Sequence, residues 1–164
     1  MPLRAFLSIP SPPLWRFCLL AFPLALIPSI ALVVTVRTLL GAIDVNTVAL
    51  LPRRIPITPW TVFAIVIFSP VTETFFLAGG LYILSRFIPR KPLVAFASAV
   101  AWGGFHALFG FLWFFGTVWS FFVFSCAFLA WRQLSFRHAY VAAAVPHLLI
   151  NLTGVLLITI GNHA

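Results

Sequence analysis

The sequence predicts an all-α fold, a polytopic transmembrane helical bundle of about five spans plus an interfacial or re-entrant segment. Three observations predict it. Hydrophobic residues make up 63% of the 164-residue chain and charged residues only 7%, where a soluble domain carries about 25% charge. The apolar residues fall into runs near the ~20 residues that a bilayer-crossing helix needs. The basic residues behind the net charge of +8 lie between those runs, where they set orientation and meet anionic headgroups. The excess charge therefore points to the lipid bilayer and not to nucleic acid.

Residues 1–13 read as a Pro-rich, N-terminal cytoplasmic tail carrying Arg4, and residues 14–164 as a single membrane-embedded domain. Leu14–Val36 is the first span. It is read as retained, because its apolar run exceeds the ~7–15 residues of a signal-peptide core and no clear A-x-A site follows. Pro23 and Pro28 are tolerated inside it because neighbouring helices can re-satisfy the carbonyls they free. Thr38–Pro59 holds only one short apolar stretch, Val48–Leu51, among Asp44, Arg53, Arg54 and prolines. It is too short and too charged to span, so it reads as interfacial or re-entrant, with Asp44 as a helix cap or a surface partner for an Arg.

Trp60–Ile88 is the second span, with a kink expected at Pro70. Leu93–Phe109 is the third, Phe111–Trp131 the fourth and His138–Ile160 the fifth, with basic turns at Pro89–Pro92 and Arg132–Arg137. Trp15, Trp60, Trp113 and Trp131 sit near span ends, where indole rings favour the headgroup layer. Trp102 and Trp119 do not fit that role. Cys18 and Cys126 lie inside apolar runs and read as buried thiols, not a disulfide. Placing the N-terminus in the cytoplasm puts Arg4, Arg16, Arg86, Arg90, Lys91, Arg132 and Arg137 inside and leaves Arg37, Arg53 and Arg54 outside. The balance favours N-in, C-out.

Glu73 stands out. It is one of two acidic residues in the chain, and an ionisable side chain at a span centre costs about 2.5–3.5 kcal/mol even on lenient scales. Either it is a structural carboxyl hydrogen-bonded to a neighbouring helix, or it does chemistry. Depth favours chemistry. Counted from the cytoplasmic ends at about 1.5 Å per residue, Glu73 lies about 22 Å in, His106 and Asn151 about 20 Å, and His147 about 14 Å. Three helices thus bring polar side chains to nearly one level. His147 and Asn151 share a helix face at i and i+4, as do Trp102 and His106. The small residues Ala95, Ala99, Gly103 and Ala107 allow close helix approach, and Gly79 and Gly80 are expected to do the same for the second span.

These residues carry a resemblance. Glu73-Thr74-Phe75-Phe76-Leu77-Ala78-Gly79, Trp102 with His106, and His147 with Asn151 resemble the EExxxRG, FxxxH and HxxxN motifs of the CAAX-protease and bacteriocin-processing family of glutamic intramembrane proteases. That family includes the Ras-converting enzymes and the Abi proteins. The leading Glu and closing Gly of the first motif are kept, but Thr74 stands for its second Glu and Ala78 for its Arg. Trp102 stands for the Phe of the second, and the third is unchanged. The resemblance covers roughly residues 60–161.

It implies a hydrolase that cuts a peptide bond of a membrane-embedded or lipid-anchored protein or peptide, without a metal or other cofactor. Glu73 would be the general base, His106 would hold the water, and His147 and Asn151 would donate to the oxyanion. Trp102, Thr74 and Phe76 would be substrate-binding or supporting residues. The substrate would be a C-terminal sorting anchor, a prenylated tail or a leader. The compact length and the missing Arg lean toward a prokaryotic form in the cytoplasmic membrane, and the oligomeric state is open. The departures from the first motif leave Glu73 to be held by Thr72, Thr74 or a neighbouring helix.

Two other readings stand beside this one. A zinc peptidase could use the two His and the Glu, although HExxH is absent. A non-enzymatic protein, whether a proton-coupled carrier or an immunity or assembly factor, could use Glu73 as a relay. Ser69, Ser98, Ser120 and Ser125 lie in spans without a GxSxG-like setting, and His138 and His163 read as solvated.

Overall fold

The computed structural model describes residues 3–10, 13–52 and 56–161; Arg53, Arg54 and His163 lie outside the described residues. Among these residues the regular structure is helical throughout. Helix α1 (Leu3–Ser8) and helix α2 (Leu14–Gly41) are followed by a 3-10 turn at Thr47–Leu50. Helix α3 (Pro59–Phe63) then runs through a π-helical turn (Ala64–Phe68) into α4 (Ser69–Phe87). Helices α5 (Lys91–Ala107), α6 (Phe111–Trp131) and α7 (Phe136–Gly161) complete the bundle.

Leu14–Gly41, Pro59–Phe87, Phe111–Trp131 and Phe136–Ile160 are long and apolar enough to cross a membrane. The third expected span, α5, has 17 residues. That gives a rise of about 25 Å, at the lower bound for a membrane helix of about 17 residues. The first helix runs on to Gly41, past the expected end at Val36, because no Pro or Gly breaks the chain between Arg37 and Leu40. Residues 1–13 are not simply a tail: Leu7 of α1 is buried, and Phe6 stacks on Phe17 of α2 with ring centroids 4.8 Å apart.

Within 42–58, Asp44 occupies a turn at φ 57°, a left-handed conformation that short polar side chains tolerate. The caps in this segment are Asn46, whose side chain accepts from the Val48 N–H at 3.2 Å, and Thr58, whose hydroxyl accepts from the Thr61 N–H at 3.2 Å, not Asp44. The segment rests on the α5–α6 turn: a Cβ at Gly110 would lie 2.6 Å from Pro52 N, so only glycine fits there.

Helix α6 is the hub. It packs against α1, α2, α5 and α7, while α4 packs chiefly on α5 and α7 at the edge of the bundle. The small-residue row does what its spacing predicts. Ala95 and Ala99 are fully buried, and a Cβ at Gly103 would meet Phe114 of α6 at 3.0 Å. Gly79 and Gly80 do not, since a Cβ at either would meet nothing within 4 Å. Trp131 also departs from expectation. It is 3% exposed and packs edge-on against Phe17, so it belongs to the core, whereas Trp15 and Trp60 are exposed at span ends. Cys18 and Cys126 are free thiols.

Trp119 finds its reason here. Pro28 has no N–H for the carbonyl of Leu24 four residues back, and Trp119 Nε1 donates to that carbonyl at 2.9 Å. Trp119→Phe keeps an aromatic ring beside Phe122 but removes the donor. The expected loss is about 1 kcal/mol, measured as a lower midpoint for SDS unfolding in mixed micelles.

Candidate active site

Ser69 and Glu73 lie one turn apart on α4 and so share a face. The Ser69 hydroxyl donates to Glu73 Oε1. Thr72 cannot serve in its place, because its hydroxyl donates to the carbonyls of Phe68 and Ser69 at 2.8 and 3.1 Å. One carboxylate oxygen is thereby tethered and the other, Oε2, is turned inward. Oε2 is buried and has no hydrogen-bond partner among the described residues.

His106 comes from the last turn of α5. Its Nδ1 lies 2.8 Å from the carbonyl of Trp102. A carbonyl only accepts, so Nδ1 carries the hydrogen and the neutral ring presents a lone pair at Nε2. That Nε2 is 3.8 Å from Glu73 Oε2. His147 of α7 places its own Nε2 at 3.8 Å from the same oxygen. The Glu73 side chain is 20% exposed and those of His106 and His147 are 11% and 6%, so the group is sheltered, with Glu73 the least covered of the three.

The walls are aromatic and come largely from α6. Phe121 lies 5.2 Å from the His106 ring and 5.3 Å from that of His147. Phe124 stacks on His147 at 4.9 Å, and Trp113 meets His106 edge-on at 5.2 Å. Trp102 lies flat on Phe121 at 4.8 Å and 6°. Each imidazole is thus held in orientation by rings packed around it, which leaves its polar edge free for the carboxylate.

The structure brings together Glu73, His106 and His147, with Trp102 behind His106. It does not bring Asn151 to Glu73 by a hydrogen bond: Asn151 Nδ2 donates to the carbonyl of Ile65 at 2.8 Å. Thr74 is buried, and no hydrogen bond links it to Glu73. Phe76 is 67% exposed on the outer surface, so it does not pack over the carboxylate, even though its i, i+3 spacing from Glu73 keeps the two on neighbouring parts of one helix face. Sequence reasoning missed Ser69, Phe121 and Phe124. The i, i+4 spacing of Ser69 and Glu73 was a usable signal; nothing local marks the two phenylalanines in a helix so rich in them.

A metal at this site would have to use Glu73, His106 and His147. Among the described residues no group of three His, Cys, Asp or Glu is spaced to hold a metal ion. The chain matches no protein-family model, no curated protein and no solved structure.

Proposed function

We propose that the chain is a glutamic-type intramembrane endopeptidase, which hydrolyses a peptide bond in a membrane-embedded or lipid-anchored protein or peptide. One observation carries this: two imidazole nitrogens, from different helices, stand 3.8 Å from the same inward-turned oxygen of Glu73. That separation is too long for direct hydrogen bonds and suits one bridging water. The resemblance of the three motifs supports the same reading.

In the proposed reaction the water donates one hydrogen to Glu73 Oε2 and the other to His106 Nε2, which leaves an oxygen lone pair aimed at the scissile carbonyl. Attack forms the new C–O bond while Glu73 takes the proton. His147, protonated at Nε2, donates to the oxyanion. Collapse breaks the C–N bond, and Glu73 returns its proton to the leaving amine. The tether from Ser69 to Oε1 keeps Oε2 in place throughout.

The edge position of α4 supports a substrate that arrives from the lipid. Glu73 is the least buried of the three, and its neighbours Phe75 and Phe76 face outward. The basic clusters support an N-in, C-out orientation. Purified protein in lipid bicelles, given membrane peptides in heavy-oxygen water, is expected to yield fragments with one heavy oxygen in each new C-terminal carboxylate, read by mass spectrometry. Cleavage should survive prolonged chelation. Loss of cleavage on chelation and recovery with zinc would support the zinc peptidase instead, and no heavy-oxygen incorporation with any peptide would support a carrier or assembly factor.

A further inference from the structure

Pro70 has no backbone N–H, and the hydrogen bonds just before it run in the wide π register. Ser69 N–H donates to the Ala64 carbonyl, five residues back. The next carbonyl in that register belongs to Ile65 and would take its hydrogen from residue 70, where proline has none to give. An open carbonyl is costly inside a bilayer. Asn151 Nδ2 donates to that carbonyl at 2.8 Å. The same device recurs elsewhere in the bundle, where Trp119 Nε1 takes the Leu24 carbonyl opposite Pro28.

The turn that Asn151 closes leads directly into Ser69, whose hydroxyl holds Glu73 Oε1. Asn151 lies one turn beyond His147 on the same face of α7. The helix therefore meets the α3–α4 rod at two levels, with His147 at the carboxylate and Asn151 at the turn that aims it.

We propose that Asn151 is a positioning residue that supplies the hydrogen bond Pro70 cannot make, fixes the π turn against α7, and so sets the Ser69–Glu73 pair toward the two histidines. This differs from a role as oxyanion donor. Its cleavage arm rests on the hydrolase reading; its other arms do not.

The test is a double-mutant cycle in the full chain. Pro70→Ala restores a backbone N–H at position 70, so it removes the need for Asn151. Asn151→Leu keeps the volume but deletes the donor. In the Pro70 background Asn151→Leu is expected to shift the SDS-unfolding equilibrium about tenfold, and in the Pro70→Ala background less than about twofold, the usual limit of additivity. Glu73 is the only glutamate in the chain, so isotope-labelled glutamate gives a single carboxyl resonance. That resonance is expected to move in Asn151→Leu and to match Pro70→Ala in the double variant. Where cleavage is measurable, kcat should follow the resonance with KM unchanged.

An equal loss in both backgrounds would overturn the proposal. So would stability coupling that leaves the Glu73 resonance unmoved in every variant. A wild type that cleaves nothing would sink the hydrolase reading, yet the unfolding and resonance arms would still decide this one.

Discussion

Glu73→Gln is expected to abolish cleavage, with a rate loss of at least about 10²–10⁴, the range ascribed to a positioned general base, while the bundle stays folded. The substitution is nearly isosteric. Ser69 can still donate to the amide oxygen that replaces Oε1, and the amide nitrogen can face the His106 Nε2 lone pair that the Trp102 hydrogen bond leaves open. A buried charge is exchanged for a neutral group, a change that is often neutral or stabilising once partners are found. Unfolding in SDS should therefore occur at the wild-type midpoint or above it. Activity and stability then part company, as they would not for a purely structural carboxyl. Heavy-oxygen incorporation that continued in Glu73→Gln would remove Glu73 from the chemistry.

The fold was largely legible because a bilayer leaves few solutions: backbone groups must be satisfied within helices, and helix length is set by membrane thickness. The errors came where that constraint weakens. Trp131 sits at a span end by sequence, but only the presence of α1 and Phe17 beside it shows that it is core. Gly79 and Gly80 have the composition of a packing face and no helix against them.

The site was legible in its titratable members and not in its supports. Glu73, His106 and His147 announce themselves because polar groups are rare in such a chain, and helical rise alone put Glu73 and His106 at nearly one depth with His147 one turn shallower. Asn151 was found by the same logic but its hydrogen-bond partner, the Ile65 carbonyl, was not, since sequence spacing cannot say whether a side-chain amide meets a reacting atom or a backbone carbonyl. The link is Pro70: a proline frees a carbonyl, and a donor must answer it. The aromatic bed of Phe121 and Phe124 was hidden because α6 carries phenylalanine on every side, and only its packing against α5 and α7 selects these two.

His147→Phe should lower kcat by about 10²–10³, the usual cost of one oxyanion donor, and leave KM nearly unchanged. The argument turns on what the substitution keeps. His147 lies in a stack, 4.9 Å and 23° from Phe124 with Phe121 edge-on at 5.3 Å, so a phenyl ring continues the aromatic packing and removes only the polar edge. The loss should be smaller than for Glu73→Gln, because an activated water can still attack the carbonyl carbon when the oxyanion lacks one donor, whereas an unactivated water attacks poorly. Groups that act as a unit are not additive. The double variant should thus be little worse than Glu73→Gln alone. A His147→Phe enzyme with wild-type kcat would take His147 out of the reaction, and losses that simply multiply would mean that the two residues serve separate steps despite sharing one oxygen at 3.8 Å.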